Sequence, residues 1–173
     1  MPEDPMTLDQ VNALDRDDFV AVFGDVAEHS PWVAEHAAIR RPFIDREAMA
    51  EAFIDAIFDA GEAEKLALVR AHPDLAGRTA VSGHLAEESK REQAGAGLDK
   101  LTAEEFARFT ELNDAYRARF QFPFILAVKG ADRHQILQSF QKRIGSDPEA
   151  ELAMAIRQVA RIVTFRIEDR VAA

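Results

Sequence analysis

Helix start signals recur along this chain with almost no competing β pattern, and they limit its fold more than any other feature. Thr7 with Gln10 and Thr102 with Glu105 have capping-box spacing, in which the threonine side chain takes the third residue's N–H and that residue's side chain reaches back. Ser30-Pro31 and Asp147-Pro148 each set an N-cap before a proline at the first helical position. Asp45 and Asp132 are further N-cap candidates. Between these marks apolar residues repeat at three- and four-residue steps. Met49, Ala52, Phe53, Ala56 and Ile57 form one stripe, and Leu66 with Val69 begin another. Phe106, Phe109, Leu112, Asn113 and Tyr116 form a third, and Ile136, Leu137, Phe140 and Ile144 a fourth, with Gly145 where a C′ glycine belongs.

The last stretch, Pro148 to Val171, carries Leu152, Ile156, Val159, Ile162, Val163 and Ile167. At 1.5 Å per residue it is about 35 Å long, enough to cross a domain as a central helix. Only Phe124-Ile125-Leu126-Ala127-Val128 has strand composition. With no second strand to pair with, it is expected as extended chain buried against helices. The expectation is an all-α fold, one domain over residues 1–173, with about eight helices and a long C-terminal one. No repeat, low-complexity tract or long linker interrupts it.

Bulk chemistry narrows the function. The chain has 173 residues, 47% of them apolar, enough for one core without staples. It has no cysteine, which excludes disulfides, thiolate zinc sites and cysteine nucleophiles and fits a reducing compartment. A net charge of −10 argues against nucleic acid, whose binding runs on clustered Lys and Arg. An anionic substrate would need a local arginine. The start, Met1-Pro2-Glu3-Asp4-Pro5, is acidic and lacks the apolar stretch of a signal peptide. No run approaches the length of a membrane span, and the end matches no targeting tripeptide. The expected address is the cytoplasm.

Four segments stand apart from the packing pattern. In Ala71-His72-Pro73-Asp74-Leu75-Ala76-Gly77, proline disfavours the α region for the residue before it, so His72 is fixed at a helix exit. Histidine changes charge near physiological pH, which makes it either a proton-transfer group or an ordinary capping residue. In the second segment Ser89, Glu92 and Gln93 share one helix face, offering a hydroxyl, a carboxylate and a carboxamide. With Glu87, Glu88, Lys90 and Arg91 alongside, the same face reads first as a solvated one. The third runs from Phe120 through Pro123 to Gly130. Its main-chain groups lack helical partners and must be satisfied by side chains or by a ligand rich in amide-like groups. The fourth is Arg166 on the apolar final helix, whose guanidinium needs an anion, either a substrate oxygen or a structural partner. His29, His36, His84 and His134 make no HExxH pair, and no calcium loop, phosphate loop or nucleophile elbow is present, so no metal is expected.

In order and spacing these segments resemble the 2-oxo-4-hydroxy-4-carboxy-5-ureidoimidazoline (OHCU) decarboxylases of urate breakdown. The resemblance runs from Glu28-His29-Ser30-Pro31-Trp32-Val33 and Arg41-Pro42-Phe43 through His72–Gly77 and Ser89–Gln93 with the following Ala-Gly-x-Gly-Leu. It continues in Leu112-Asn113-x-x-Tyr116 and Phe122-Pro123-Phe124-Ile125 and ends at Arg166. It implies an all-helical, cofactor-free, usually dimeric enzyme that converts OHCU to (S)-allantoin. Carried over by motif, His72 is the acid/base, and Ser89, Glu92 and Gln93 hold the substrate, Glu92 beside the reacting centre. Pro73 lines the pocket, main-chain groups of Phe124, Ile125, Leu126, Ala127 and Val128 bind the ureido and ring amides, and Arg166 holds an anionic or carbonyl oxygen.

Two other readings compete. A catalytically silent helical module would bind allantoin or a purine-derived ligand without accelerating any reaction. A metal-dependent helical hydrolase would carry stoichiometric metal.

Overall fold

The computed structural model describes residues 4–76 and 87–173. Met1, Pro2 and Glu3 of the acidic start, Gly77 and His84 lie outside the described residues. Within those, the chain forms nine α-helices and no strand. They are α1 (Leu8–Ala13), α2 (Arg16–Phe23), α3 (Trp32–Ala38), α4 (Arg46–Phe58), α5 (Glu62–Arg70), α6 (Glu87–Gly95), α7 (Ala103–Phe120), α8 (Arg133–Arg143) and α9 (Pro148–Arg170). The expected all-α class is observed, and α9 has 23 residues. Among the described residues no helix is long and apolar enough to cross a membrane.

Most start signals act as the spacing predicts. Both bonds of the Thr7–Gln10 and Thr102–Glu105 boxes are made. Asp45 accepts the Ala48 N–H, and Asp132 forms a box of its own with Gln135. Asp147 accepts from Glu149 and Ala150 as Pro148 opens α9. Ser30 departs from the expectation. Its hydroxyl donates to the Glu28 carbonyl at 2.8 Å, and α3 starts without a side-chain cap. The cause is His29, held at φ 47°, which turns the chain so that the carbonyl two residues back meets the hydroxyl. Gly145 follows α8 but is not left-handed; Ser146 N–H closes that end on the Arg143 carbonyl.

The chain divides into two compact units, Met1–Ala71 with Val159–Ala173, and His72–Gln158. In the first, Phe19 is the hub of an aromatic cluster, with ring centroids 5.1 Å from Phe23, 6.1 Å from Phe53 and 6.3 Å from Phe43. Each fully buried phenylalanine contributes about 1.5–3 kcal/mol. The Arg41-Pro42-Phe43 motif is a clamp in this unit. Arg41 lies 4.7 Å over Phe19 and donates to the carbonyls of Val11 and Leu14, while Asn12 exchanges two 2.9 Å bonds with the Phe43 main chain. Met6 brackets the end of α9, donating to the Arg170 carbonyl and accepting from Ala172 N–H.

The second unit is centred on Tyr116, Phe120, Phe122, Phe124 and Phe140. Phe124 and Phe140 stack with centroids 4.0 Å apart, and Tyr116 meets both of them edge-on.

Candidate active site

Helix α5 is capped at Ala71, and Pro73 prevents the next residue from continuing it, which leaves His72 in a bend. The imidazole is 6% exposed. Its Nε2 atom is buried and has no hydrogen bond to the described residues, while the residue itself makes a further interaction. Asp74, Leu75 and Ala76 beyond it are each held by a side chain. Asp74 pairs through both carboxylate oxygens with Arg117 Nε, at 2.9 and 3.2 Å. Asn113 Nδ2 donates to the Leu75 carbonyl at 3.0 Å. Ala76 sits at φ 53°, a left-handed conformation that alanine adopts only when its surroundings impose it. Gln93 imposes it, since its Oε1 accepts the Ala76 N–H at 2.9 Å and its Nε2 reaches the Asp74 carbonyl at 3.5 Å.

Helix α6 therefore adjoins the histidine loop, and its composition is unusual for a packed helix. It buries Ser89 and Gln93, leaves Glu92 half-buried and contributes no aliphatic anchor. The solvated-face reading fails at Ser89 and Gln93, each 5% exposed. The Ala-Gly-x-Gly-Leu motif that follows closes the helix in a Schellman turn. Gly97, at φ 81°, donates to the Ala94 carbonyl and Leu98 to that of Gln93.

The third segment lies between α7 and α8. Gln121, at φ 66°, ends α7, Pro123 blocks further helix, and residues 124–128 form neither helix nor strand. All of them are buried except Leu126, which is half-buried. Side chains from two helices satisfy one edge. Arg143 Nη1 donates to the Ile125 carbonyl at 2.5 Å, and Gln158 Oε1 accepts the Ala127 N–H at 3.0 Å. Arg143 also lies 4.4 Å over the Phe124 ring and donates through Nε to Glu151 at 2.7 Å. The Tyr116 hydroxyl donates to the same Glu151 oxygen. Burial pushes the Tyr116 phenol far above its ordinary range, and the Glu151 bond and charge add to this while Arg143 opposes it. Tyr116 is therefore a permanent donor. Helix α7 serves both features: Asn113 and Arg117 hold the histidine loop, and Tyr116, on the same face, meets the group that braces the extended segment.

His72, Pro73, Ser89, Glu92, Gln93 and residues 124–128 all belong to the second unit. Arg166 belongs to the first, where Nη2 pairs with Glu28 at 3.0 Å and Nη1 donates to the Val26 carbonyl at 3.1 Å. Glu28 and Arg166 are both buried. Spacing did not single out Arg143, Glu151 or Gln158. Their signal is polarity on an apolar stripe: Arg143 continues Ile136 and Phe140 on α8, and Glu151 and Gln158 bracket Ala155 on α9.

The described residues thus form an all-α protein with an imidazole fixed at a helix exit, a buried polar helix face and a braced main-chain segment, groups that can hydrogen-bond a small polar ligand. The OHCU decarboxylase family model matches residues 12–168, and the chain belongs to that family. The 2-oxo-4-hydroxy-4-carboxy-5-ureidoimidazoline decarboxylase of Haloferax volcanii is 41% identical over 165 residues, 95% of this chain and 96% of that protein. Among solved structures, an (S)-allantoin synthase superposes with a TM-score of 0.78 at 29% identity, covering 96% of this chain and 54% of the other. An OHCU decarboxylase solved in the presence of (S)-allantoin gives a TM-score of 0.69 over 83% of this chain and 93% of the other; at 21% identity this is a likeness of fold.

Proposed function

We propose that this protein decarboxylates OHCU to (S)-allantoin in urate breakdown, with His72 as the acid/base. Family membership supports the reaction class. The Gln93–Ala76 hydrogen bond supports the assignment most directly, because it joins the helix bearing Ser89, Glu92 and Gln93 to the loop bearing His72. Breaking the bond to the carboxyl carbon releases CO2 and leaves an electron pair on the ring carbon. OHCU delocalises that pair into its own C=N–C=O system, so the reaction calls for no cofactor as an electron sink. The protein's tasks are to turn the carboxylate out of the ring plane, stabilise the anion and add one proton to one face.

His72 supplies that proton, a contribution of about 10²–10⁴-fold. Glu92 adjoins the reacting centre. Ser89 and Gln93 hold the ring, Pro73 lines the pocket, and main-chain groups of residues 124–128 take the ureido and ring amides. Gln93 keeps amide hydrogen-bonding capacity for this, since an amide nitrogen donates twice and the bond to Asp74 is long. The working form is a homodimer, which the family resemblance supports; a net charge of −10 supports the absence of a nucleic-acid partner, and a cytoplasmic address without a membrane partner belongs to the same reading. The test is circular dichroism of the chiral product after mixing purified protein with fresh OHCU. Formation of (S)-allantoin faster than in buffer is expected, and a rate equal to that of buffer overturns the reading.

A further inference from the structure

The extended segment is held by a device that its packing alone does not require. Arg143 and Glu151 form an ion pair with side chains 10% and 2% exposed. Taking two charges out of water costs about what their attraction returns, and apolar residues of similar size often stabilise as well. The pair does confer orientation. One arm of the guanidinium holds Glu151, another holds the Ile125 carbonyl, its carbon lies 4.4 Å over the Phe124 ring, and the Tyr116 hydroxyl donates to the same Glu151 oxygen. Gln158 takes the Ala127 N–H. In extended chain, residues i and i+2 present their main-chain groups to one side and residue i+1 to the other. Arg143 takes the Ile125 carbonyl and Gln158 the Ala127 N–H, and this alternation assigns the N–H and C=O of half-buried Leu126 to the opposite side.

We propose that Arg143, held by Glu151 and Tyr116, is a positioning residue that presents the Leu126 main-chain edge to the amide-like groups of the ligand. Gln158 performs the same task two residues along. Neither touches a reacting atom. This rests on the decarboxylase reading above, in which residues 124–128 bind the substrate.

Two variants of the full chain test it. Arg143→Lys keeps a cation beside Glu151 but loses the second arm that reaches Ile125. Gln158→Leu removes the acceptor of Ala127 N–H without exposing a buried charge, and it decides the matter if Arg143→Lys does not fold. Both raise the KM for OHCU and the inhibition constant of (S)-allantoin together by about tenfold, while kcat changes by less than about threefold. A KM within about twofold of wild type in the folded variants overturns the positioning role whatever happens to the melting temperature, and so does a loss confined to kcat. In those cases wild-type turnover leaves the decarboxylase reading standing. A wild-type chain that does not consume OHCU removes that reading, and this inference with it.

Discussion

Gln93 and Ala76, seventeen residues apart, share a 2.9 Å hydrogen bond between a helix side chain and a strained loop amide. Through it, a helix with no aliphatic anchor is fixed to the loop that begins at His72. The polar face of α6 and the left-handed turn at Ala76 are thus one arrangement, since each satisfies a group the other leaves buried.

Replacing Gln93 with leucine removes the acceptor and strands the Ala76 N–H, at about 1–3 kcal/mol. For a protein of this size each kcal/mol lowers the melting temperature by about 2–4 °C. Gln93→Glu keeps an acceptor but sets a second oxygen against the Asp74 carbonyl at a 5% exposed position, so it is expected to lose at least as much, which paired thermal melts measure.

Ala76→Gly relieves a left-handed alanine, about 1–2 kcal/mol, and gives up about 0.5–1 kcal/mol of chain entropy. The expected result is unchanged stability or a gain of up to about 1.5 kcal/mol. Ala155→Gly, at a fully buried position inside α9, is expected to lose about 1 kcal/mol or more. Urea titration of the two variants compares them directly.

Arg166→Ala leaves Glu28 charged and buried without the guanidinium that now pairs with it. The expected loss is about 3–5 kcal/mol. Adding Glu28→Gln recovers part of it, so the double-mutant cycle is strongly non-additive, and equilibrium unfolding of the four chains measures the coupling.

Glu105 has its pKa lowered from 4.5, first by the Thr102 main-chain N–H, against some desolvation, and then by Arg133 and the Thr102 hydroxyl. A depressed folded-state value means that its contribution is present above the unfolded value and is lost as pH falls through the folded one. The difference in melting temperature between wild type and Glu105→Ala is therefore widest near neutrality. It narrows below about pH 4.5, where the unfolded chain takes up the proton first.

What the sequence reveals divides along physical lines. Thr7, Asp45, Thr102 and Asp132 cap their helices because capping is decided within four residues, all of them visible in the string. Ser30 escapes that logic because the turn at His29 offers its hydroxyl a nearer carbonyl. The α6 face reads as solvated among its charged neighbours, whereas Ser89 and Gln93 are interior and the Gln93 amide meets the loop at Asp74 and Ala76. Arg143, Glu151 and Tyr116 come from three helices, so their convergence beneath residues 124–128 is a fact of packing that no local pattern encodes. The motif resemblance contains Gln93, Asn113 and Tyr116 without showing what they hold, and it carries no signal for Arg143, Glu151 or Gln158.

The most direct measurement compares OHCU turnover by His72→Ala with that of wild type, with helical circular dichroism recorded on both chains. A folded variant whose rate drops by about 10²–10⁴-fold, or to that of buffer, is the expected result. A folded variant that makes (S)-allantoin at the wild-type rate contradicts the account.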